Sequence, residues 1–456
     1  MTRAGRFGTD GVRGIANVEI TAELALALGR AAARVLGHDR PFVVARDTRR
    51  SGPLLEAALA AGITAEGADV ELAGVLPTPG AAYLSQARDV PAAMISASHN
   101  PFYDNGIKFF AGGGRKLPDA VEQRIEEQLD SLLHGALGGD AAGAREVSGA
   151  DVGTIAAMPA PLEAYAAHLE AALEGRRLDG IRVVLDCGHG AAFEAAPDVL
   201  ARLGAKVEVH NAAPDGININ AGCGSTHPAG LQAEVVAAGA QVGLAFDGDA
   251  DRLIAVDERG ALVDGDHLLA VFALDLRARG LLRHDTVVAT VMANHGFRRA
   301  MGEHGIRIVE TKVGDRYVLE AMEAEGLVLG GEQSGHLIFA DLASTGDGIL
   351  SGLALLDIVA RTGKPLSDLA AVVTKLPQVL RNVAVADRAG LDGAEAFWAE
   401  VRAVEGELAG SGRVLVRPSG TEPVVRIMVE APTPGEAEDY TTRLEAALTA
   451  ALGPRR

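Results

Sequence analysis

Residues 92–110 read AAMISASHNPFYDNGIKFF, and this stretch sets the type of sheet and its site. The apolar residues Ala92 to Ile95 predict a short buried strand. Pro101 and the Asn105-Gly106 pair break regular structure, so we expect the chain to leave the strand in a loop and turn back there. Open parallel sheets bind ligands at the carboxyl ends of their strands. The polar residues after this strand are therefore candidate site residues.

Three side chains of this stretch suit nucleophilic chemistry. Ser98 is a candidate nucleophile, and His99 and Lys108 are candidate proton-transfer partners. The alternative is a serine turn that only closes the strand. The stretch alone does not separate these two interpretations.

Strands alternate with helices on both sides of this stretch, which predicts a parallel, doubly wound sheet. Predicted strands include 42–46, 70–75 and 242–246, and predicted helices include 21–36, 54–66 and 347–361. The Gly/Ala-rich run at 135–144 predicts part of a link. We expect three successive α/β domains with mixed or parallel sheets, followed by a smaller α+β domain. The predicted bounds are 1–150, 151–257, 258–374 and 375–456.

Composition limits the classes of partner. The chain has 456 residues, a net charge of −19 and only 4% aromatic residues. These values argue against nucleic acid and against an anionic membrane surface as partners. Two cysteines cannot make a disulfide framework, and no leader-like or membrane-spanning apolar run is present. We therefore expect a cytoplasmic enzyme.

The sequence DGDADR at 247–252 places Asp247, Asp249 and Asp251 on one glycine-containing loop. Carboxylates at this spacing can surround a hard cation such as Mg²⁺ or Ca²⁺. An EF-hand is excluded because its sixth position, which needs glycine, is Arg252, and a strand follows the loop. The alternative is a solvated acidic turn, which repulsion between the three charges would destabilise.

Three further loops carry polar groups. Arg13 lies in a glycine-rich opening loop that either approaches a phosphate or is a surface turn. The loop 330–336 follows an apolar strand and offers mixed donors and acceptors suited to a sugar: Glu332, Gln333, Ser334 and His336. The loop 417–426 combines hydroxyls, backbone N–H groups and two guanidiniums suited to a phosphate, or forms a hairpin with incidental arginines: Arg417, Ser419, Gly420, Thr421 and Arg426.

Together, four motifs resemble the active-site loops of the α-D-phosphohexomutases: ISASHNP, DGDADR, GEQSGH and RPSGTEP. The resemblance covers essentially the whole chain, one loop per domain, and implies a heart-shaped molecule with a central cleft. FGTDGVRG, CGSTHP at 223–228, KVGDR at 312–316 and Gln333 resemble the branch that acts on glucosamine phosphates. The small residues just before Cys223 depart from that branch.

The resemblance also implies roles. Ser98 would be the phosphorylated serine, with Ser96 as a supporting residue, and one Mg²⁺ would bridge phospho-Ser98 to the three aspartates. Arg252 would stabilise the phosphoryl oxygens. Donors or proton-transfer groups around the reacting oxygens would be Lys108, His99, Arg13 and His336. The sugar would contact Glu332, Gln333 and Ser334, and the non-reacting phosphate would contact Arg417, Ser419, Gly420, Thr421 and Arg426.

The implied activity is that of an isomerase on a small phosphosugar. It would interconvert glucosamine 6-phosphate and glucosamine 1-phosphate, with glucosamine 1,6-bisphosphate as intermediate and activator, for cell-wall precursors. The expected assembly is a monomer or homodimer. Two alternatives stay open: a glucose- or mannose-phosphate mutase with the same machinery, and a metal-dependent phosphatase that uses Ser98 as a transient nucleophile.

Overall fold

The computed structural model describes residues 7–8, 11–134, 147–387, 389–419 and 424–453. The chain forms two compact units. Unit 1 comprises Met1–Met292 and Ile306–Val372, and unit 2 comprises Ala293–Gly305 and Val373–Arg456. Among the described helices, none has the length and apolarity needed to cross a membrane. The predicted link at 135–144 lies outside the described residues.

Unit 1 begins with a seven-stranded sheet of order β1-β5-β4-β2-β3-β7, with β6 beside β5. The strands are β1 (Val12–Ile15), β2 (Phe42–Arg46), β3 (Val70–Val75), β4 (Ala92–Ile95), β5 (Asp104–Ala111), β6 (Arg115–Lys116) and β7 (Ile155–Ala157). The helices are α1 (Ala22–Leu36), α2 (Gly52–Thr64), α3 (Thr78–Arg88) and α4 (Asp119–His134). Strands β2, β3 and β4 begin and end at the predicted residues because their apolar runs are bounded by polar residues or breakers.

The predicted turn at Asn105-Gly106 is wrong. Both residues lie inside β5, which pairs antiparallel with β4 and β1, so this sheet is mixed and not purely parallel. The chain turns back earlier, between Ser98 and Tyr103. Gly106 serves packing, because a Cβ there would lie 2.9 Å from the carbonyl oxygens of Ser96 and Val12. The sequence Asn-Gly is therefore compatible both with a turn and with a strand whose glycine packs closely against neighbouring backbone.

The second sheet has the order β12-β11-β10-β8-β9. Its strands are β8 (Arg182–Asp186), β9 (Lys206–His210), β10 (Val242–Phe246), β11 (Leu253–Asp257) and β12 (Leu262–Val263), and its helices are α5 (Pro161–Ala171), α6 (Ala192–Arg202) and α7 (Ala229–Ala238). Every residue of β10 is buried, as its continuous apolar run predicts. The hairpin from β10 to β11 presents the loop 247–252.

The third sheet has the order β14-β13-β15-β16. Its elements are α8 (Gly265–Ala278), β13 (Thr286–Thr290), β14 (Arg307–Thr311), α10 (Asp315–Glu325), β15 (Leu329–Gly331), β16 (Leu337–Phe339), α11 (Gly348–Thr362) and α12 (Leu366–Ala370); α9 (His295–Glu303) lies in unit 2. Strands β15 and β16 pair antiparallel and present the loop 332–336 between them.

Unit 2 contains a three-stranded antiparallel sheet of order β17-β19-β18. Its elements after α9 are β17 (Gln378–Ala384), α13 (Glu395–Leu408), β18 (Arg413–Pro418), β19 (Val424–Glu430) and α14 (Pro434–Leu452). Apolar residues of the sheet and of α13 and α14 form its core, with Phe397 completely buried. Three mixed or parallel α/β sheets and a smaller α+β unit confirm the predicted fold class, while the predicted domain bounds stay predictions.

Candidate active site

Ser98 lies in the turn after β4, with only 1% of its surface exposed. Its φ of +50° is left-handed, which costs roughly 1 kcal/mol for a residue with a Cβ. The Ser98 hydroxyl donates to Oδ2 of Asp247 at 2.5 Å and lies 3.3 Å from Nδ1 of His99. Ser96 supports this turn, because its hydroxyl accepts the N–H of Ser98 at 2.9 Å. The turn thus aims the serine hydroxyl at a carboxylate from the second sheet.

The acidic loop gathers three buried carboxylates. One carboxylate oxygen each from Asp247, Asp249 and Asp251 lies within 4.8 Å of the other two. The Oδ1 atoms of Asp249 and Asp251 are buried and have no hydrogen-bond partner among the described residues. A buried carboxylate oxygen without a partner is costly. Oxygen ligands in this number and spacing fit a hard divalent cation such as Mg²⁺.

The three carboxylates have different proton affinities. Burial, together with the charges of Asp251 and Asp249, raises the pKa of Asp247 well above its ordinary value. Burial also opposes ionisation of Asp251, but the interaction with His336, together with the charges of Lys108 and Arg252, outweighs it and lowers the pKa of that carboxyl. A bound divalent cation would favour the ionised form of all three.

Lys108 provides a positive charge within this group. It projects from β5, is only 4% exposed, and its Nζ donates to Oδ2 of Asp249 at 2.9 Å. The same Nζ lies 3.8 Å from Oδ2 of Asp251. Strand β5 therefore delivers Lys108 to the acidic loop, a placement that depends on the antiparallel pairing with β4.

The guanidiniums of Arg252 and Arg13 act electrostatically on His99. Nε of Arg252 lies 3.8 Å from Oδ1 of Asp251. Burial and the nearby charges of Arg252 and Arg13 lower the pKa of His99. His99 is therefore neutral near pH 7, so its ring can accept or donate a proton beside Ser98.

The loop 332–336 packs directly against β11, the strand that follows the acidic loop. Gly335 has φ +90°, and a Cβ there would lie 2.0 Å from the carbonyl oxygen of Leu253. Leu253 in turn donates its N–H to the Gly335 carbonyl at 3.0 Å. His336, 2% exposed, lies with Nδ1 3.6 Å from Oδ2 of Asp251 and accepts the N–H of Gly346 at 3.0 Å. The third sheet thus supplies a histidine to the same site.

The loop 332–336 carries polar side chains with different hydrogen-bonding states. Oε1 of Glu332 accepts the N–H of Gly314 at 3.0 Å, which links the loop to the KVGDR segment. The hydroxyl of Ser334 is buried and has no hydrogen-bond partner in the described part of the chain. Gln333 is partly buried. The loop can therefore offer a hydroxyl, an amide and a carboxylate to one ligand.

The fourth motif lies in unit 2. Arg417 of β18 and Arg426 of β19 are directly opposite partners in antiparallel strands, so their side chains share one face. Burial, followed by the charge of Arg426, lowers the pKa of Arg417. Like charges opposite each other are destabilising unless an anion lies between them. Ser419 is buried beside them, whereas Gly420 and Thr421 lie outside the described residues.

Sequence reasoning missed several residues of the site. Thr78 donates its hydroxyl to Oδ2 of Asp249 at 2.5 Å, and Arg49 and Asn220 bond the backbone around Ser98. Thr78 and Arg49 follow the carboxyl ends of β3 and β2, so the rule that located Ser98 would also have found them. Asn220 lies in a long polar loop that carries no comparable signal.

Four family models match the chain in order. They describe domains I, II and III and the C-terminal domain of phosphoglucomutase/phosphomannomutase, over residues 4–134, 163–260, 264–376 and 380–447. The chain belongs to the phosphoglucomutase/phosphomannomutase family. The family assigned from four short motifs is thereby confirmed along the whole chain.

Members of this family are similar to the chain over nearly its full length. A phosphoglucosamine mutase of Symbiobacterium thermophilum is 55% identical over 435 residues, covering 93% of this chain and 94% of that protein. A family protein of Burkholderia thailandensis is 26% identical with a TM-score of 0.80, covering 99% and 98%. N-acetylphosphoglucosamine mutase of Aspergillus fumigatus, solved with GlcNAc-6P and magnesium, shares the fold at 18% identity, with a TM-score of 0.66 and coverage of 98% and 96%.

In this chain, unit 1 contains most of the predicted site residues. It brings the hydroxyl of Ser98 and the three aspartates together with His99, Lys108, Arg252 and His336. The roles of all these residues stay predictions, as do those of Arg13, the sugar loop and the residues of unit 2.

Proposed function

We propose that this enzyme interconverts glucosamine 6-phosphate and glucosamine 1-phosphate through a phosphoserine at Ser98 and a 1,6-bisphosphate. The observation that carries the proposal is the 2.5 Å hydrogen bond from the buried Ser98 hydroxyl to a three-carboxylate loop. The glucosamine substrate is supported by the Symbiobacterium relative, which is named a phosphoglucosamine mutase.

The forward reaction has two phosphoryl transfers. In the first, the bond from phosphorus to Oγ of Ser98 breaks and Oγ takes up a proton, while a bond from phosphorus to O1 of glucosamine 6-phosphate forms and the O1 proton passes to a base. In the second, the bisphosphate turns over and the Ser98 hydroxyl attacks its 6-phosphoryl group and gives its proton to a base. The bond from phosphorus to O6 breaks, and O6 takes up a proton. The enzyme regains its phosphoserine and releases glucosamine 1-phosphate.

Residues of unit 1 have complementary roles in these transfers. Asp247, Asp249 and Asp251 would hold the Mg²⁺ ion. The bound ion would offset negative charge on the phosphoryl group. Arg252 supplies a guanidinium for the same oxygens, and Lys108, His99, His336 and Arg13 are the groups available to donate or move protons.

The other contacts must suit two poses of one intermediate. Glu332, Gln333 and Ser334 offer donors and acceptors to the sugar hydroxyls and amine. Arg417, Ser419, Gly420, Thr421 and Arg426 are proposed to hold whichever phosphate is not reacting, because paired guanidiniums bind a dianion without regard to its carbon of origin. The Aspergillus enzyme, solved with GlcNAc-6P and magnesium, supports both the phosphosugar and the metal.

The test is intact-mass spectrometry of the purified enzyme and of Ser98→Ala, combined with mutase assays. We expect one phosphate mapped to Ser98, absent in the variant, and loss of nearly all mutase turnover. Wild-type turnover in Ser98→Ala would contradict the proposal. Free phosphate as the main product would indicate a phosphatase, and preferential turnover of mannose or glucose 1-phosphate would move the substrate to another hexose.

A further inference from the structure

We propose that Arg49 and Asn220 are positioning residues that jointly hold the backbone carbonyl of Ser98, so that the serine faces the acidic loop. This inference rests on the proposed function, in which Ser98 carries the phosphoryl group. Neither residue carries out the transfer. Both act through the backbone of the segment Ser98 to Asp104.

Arg49 is a completely buried guanidinium directed at backbone oxygens. Its Nη2 donates to the carbonyls of Ser98 at 2.8 Å and Asn100 at 2.9 Å. Its Nη1 donates to the carbonyls of Asp104, at 3.0 Å, and Pro101. One side chain therefore bonds four carbonyls of one turn, which its rigid fork of five N–H groups makes possible.

Asp47 compensates the charge of Arg49. Both side chains are 0% exposed, and Nε of Arg49 lies 2.9 Å from Oδ2 of Asp47. The same Asp47 oxygen accepts the hydroxyl of Ser96 at 2.6 Å, and that hydroxyl accepts the N–H of Ser98. A buried ion pair of this kind adds little net stability but fixes geometry when all its donors are satisfied.

Asn220, from the loop between β9 and α7, also hydrogen-bonds the carbonyl of Ser98. Its Nδ2 donates to the carbonyls of Ser98 at 2.9 Å and Asn100 at 3.2 Å. Two acceptors can be met only by the NH₂ of the amide, which fixes its orientation. Gly248 permits this approach, because a Cβ there would lie 2.5 Å from the Ser98 carbonyl and 2.9 Å from Nδ2 of Asn220.

The Ser98 backbone requires such support. The left-handed conformation is strained, and a phosphoryl group on Ser98 adds roughly two negative charges beside three carboxylates. Repulsion would push the turn away from the acidic loop unless its carbonyls are held. Because neither donor is directed at the substrate, their loss should lower kcat and leave KM nearly unchanged.

The first test is Asn220→Gly, because glycine adopts the φ of +58° found at Asn220 without strain. The matched control is Asn211→Gly, since Asn211 has φ +50° in the same domain and its side chain makes no hydrogen bond to the Ser98 turn within the described residues. We expect Asn220→Gly to lower kcat by about 10- to 100-fold, with KM for glucosamine 6-phosphate changed less than about twofold. The control should match the wild type, and both variants should melt at similar temperatures.

A single-turnover experiment separates positioning from a merely structural role. Enzyme labelled on Ser98 with radioactive phosphate is mixed with glucosamine 6-phosphate, and loss of label from protein is followed. The rate should fall by the same factor as kcat in Asn220→Gly. Unchanged transfer, or an equal loss in Asn211→Gly, would overturn the inference.

Arg49→Lys tests the second donor and the coupling. A lysine keeps the charge beside Asp47 but cannot bond four carbonyls. Since both residues hold one carbonyl, the double variant should lose less activity than the product of the two single losses. Fully multiplicative losses would overturn joint action, and the Asn220 result stands if Arg49→Lys does not fold.

Failure of the proposed function and failure of this inference give different results. If wild-type enzyme lacks phosphate on Ser98 and Ser98→Ala stays active, the proposed function fails. If wild-type enzyme is phosphorylated but Asn220→Gly keeps its kcat, only this inference fails.

Discussion

Replacing Tyr165 with phenylalanine removes one buried hydroxyl from beneath the acidic loop. Tyr165 of α5 is 0% exposed, and its hydroxyl donates to Oδ2 of Asp347 at 2.8 Å. Oδ1 of Asp347 caps α11 by accepting the N–H of Leu350 at 2.9 Å. The next residue, Gly348, donates its N–H to the carbonyl of Ala250 at 3.0 Å. The hydroxyl therefore stabilises the end of α11 that hydrogen-bonds the backbone of the acidic loop.

The magnitude depends on the charge of Asp347. Burial raises the pKa of this carboxyl to about 6, so it is ionised at pH 8 and largely protonated at pH 5. A hydrogen bond to a charged group contributes about 1.5–3 kcal/mol, and one to a neutral group about 0.5–1.5 kcal/mol. We expect Tyr165→Phe to lower the free energy of unfolding by about 2 kcal/mol at pH 8 and by less than half of that at pH 5.

The sign of the pH dependence follows from proton binding. The pKa of Asp347 is higher in the native state than in the unfolded chain, so the native state binds more protons between these values. Stability from this carboxyl is present at low pH and is lost as the pH rises through about 6. Removing the Tyr165 donor raises the native pKa further. The stability curves of variant and wild type should therefore separate above pH 6 and converge below it.

Urea unfolding followed by circular dichroism at pH 5 and pH 8, with EDTA present, measures this difference. The control is Tyr103→Phe, because Tyr103 is 51% exposed and its hydroxyl makes no hydrogen bond within the described residues. The control should change stability little at either pH. Equal losses at both pH values in Tyr165→Phe, or no loss at pH 8, would refute the reasoning.

Four further outcomes are expected. Arg417→Ala should raise KM for the phosphosugar at least about tenfold, since a guanidinium–phosphate contact is charge-assisted; an unchanged KM in steady-state assays would exclude Arg417 from the proposed phosphate-binding residues. EDTA should abolish activity and Mg²⁺ restore it, with Asp249→Asn needing more Mg²⁺ for half-maximal rate; an unaltered Mg²⁺ titration would exclude this ligand. Gly106→Ala should cost about 1–3 kcal/mol in urea unfolding because of the 2.9 Å contacts, and a smaller loss would show that the strand shifts to admit the methyl group. Burial raises the pKa of the Cys187 thiol, and that of Cys223 to about 11, so native protein should react with a thiol reagent at pH 8 far more slowly than urea-unfolded protein.

Local sequence patterns determine only part of this architecture. Strand β4 and the acidic loop were predictable because apolar runs, breakers and carboxylate spacing are local properties. The contacts of Arg49 and Asn220 were not, because their partners are backbone carbonyls, which every residue possesses. The Asn105-Gly106 prediction was wrong for a related reason: glycine permits a turn or a close packing contact, and only the paired strand decides which.

Charge balance explains why the proposed transfer site needs both a metal and buried cations. Three ionised aspartates and a phosphoserine carry roughly five negative charges together. Lys108 and Arg252 supply two positive charges beside them, which leaves roughly three negative charges in a buried site. A divalent cation reduces this excess to about one negative charge. Neutral replacement of any aspartate would therefore weaken metal binding more than it relieves repulsion. Neutral replacement of Lys108 would instead leave one more uncompensated negative charge in both the resting enzyme and the bisphosphate complex.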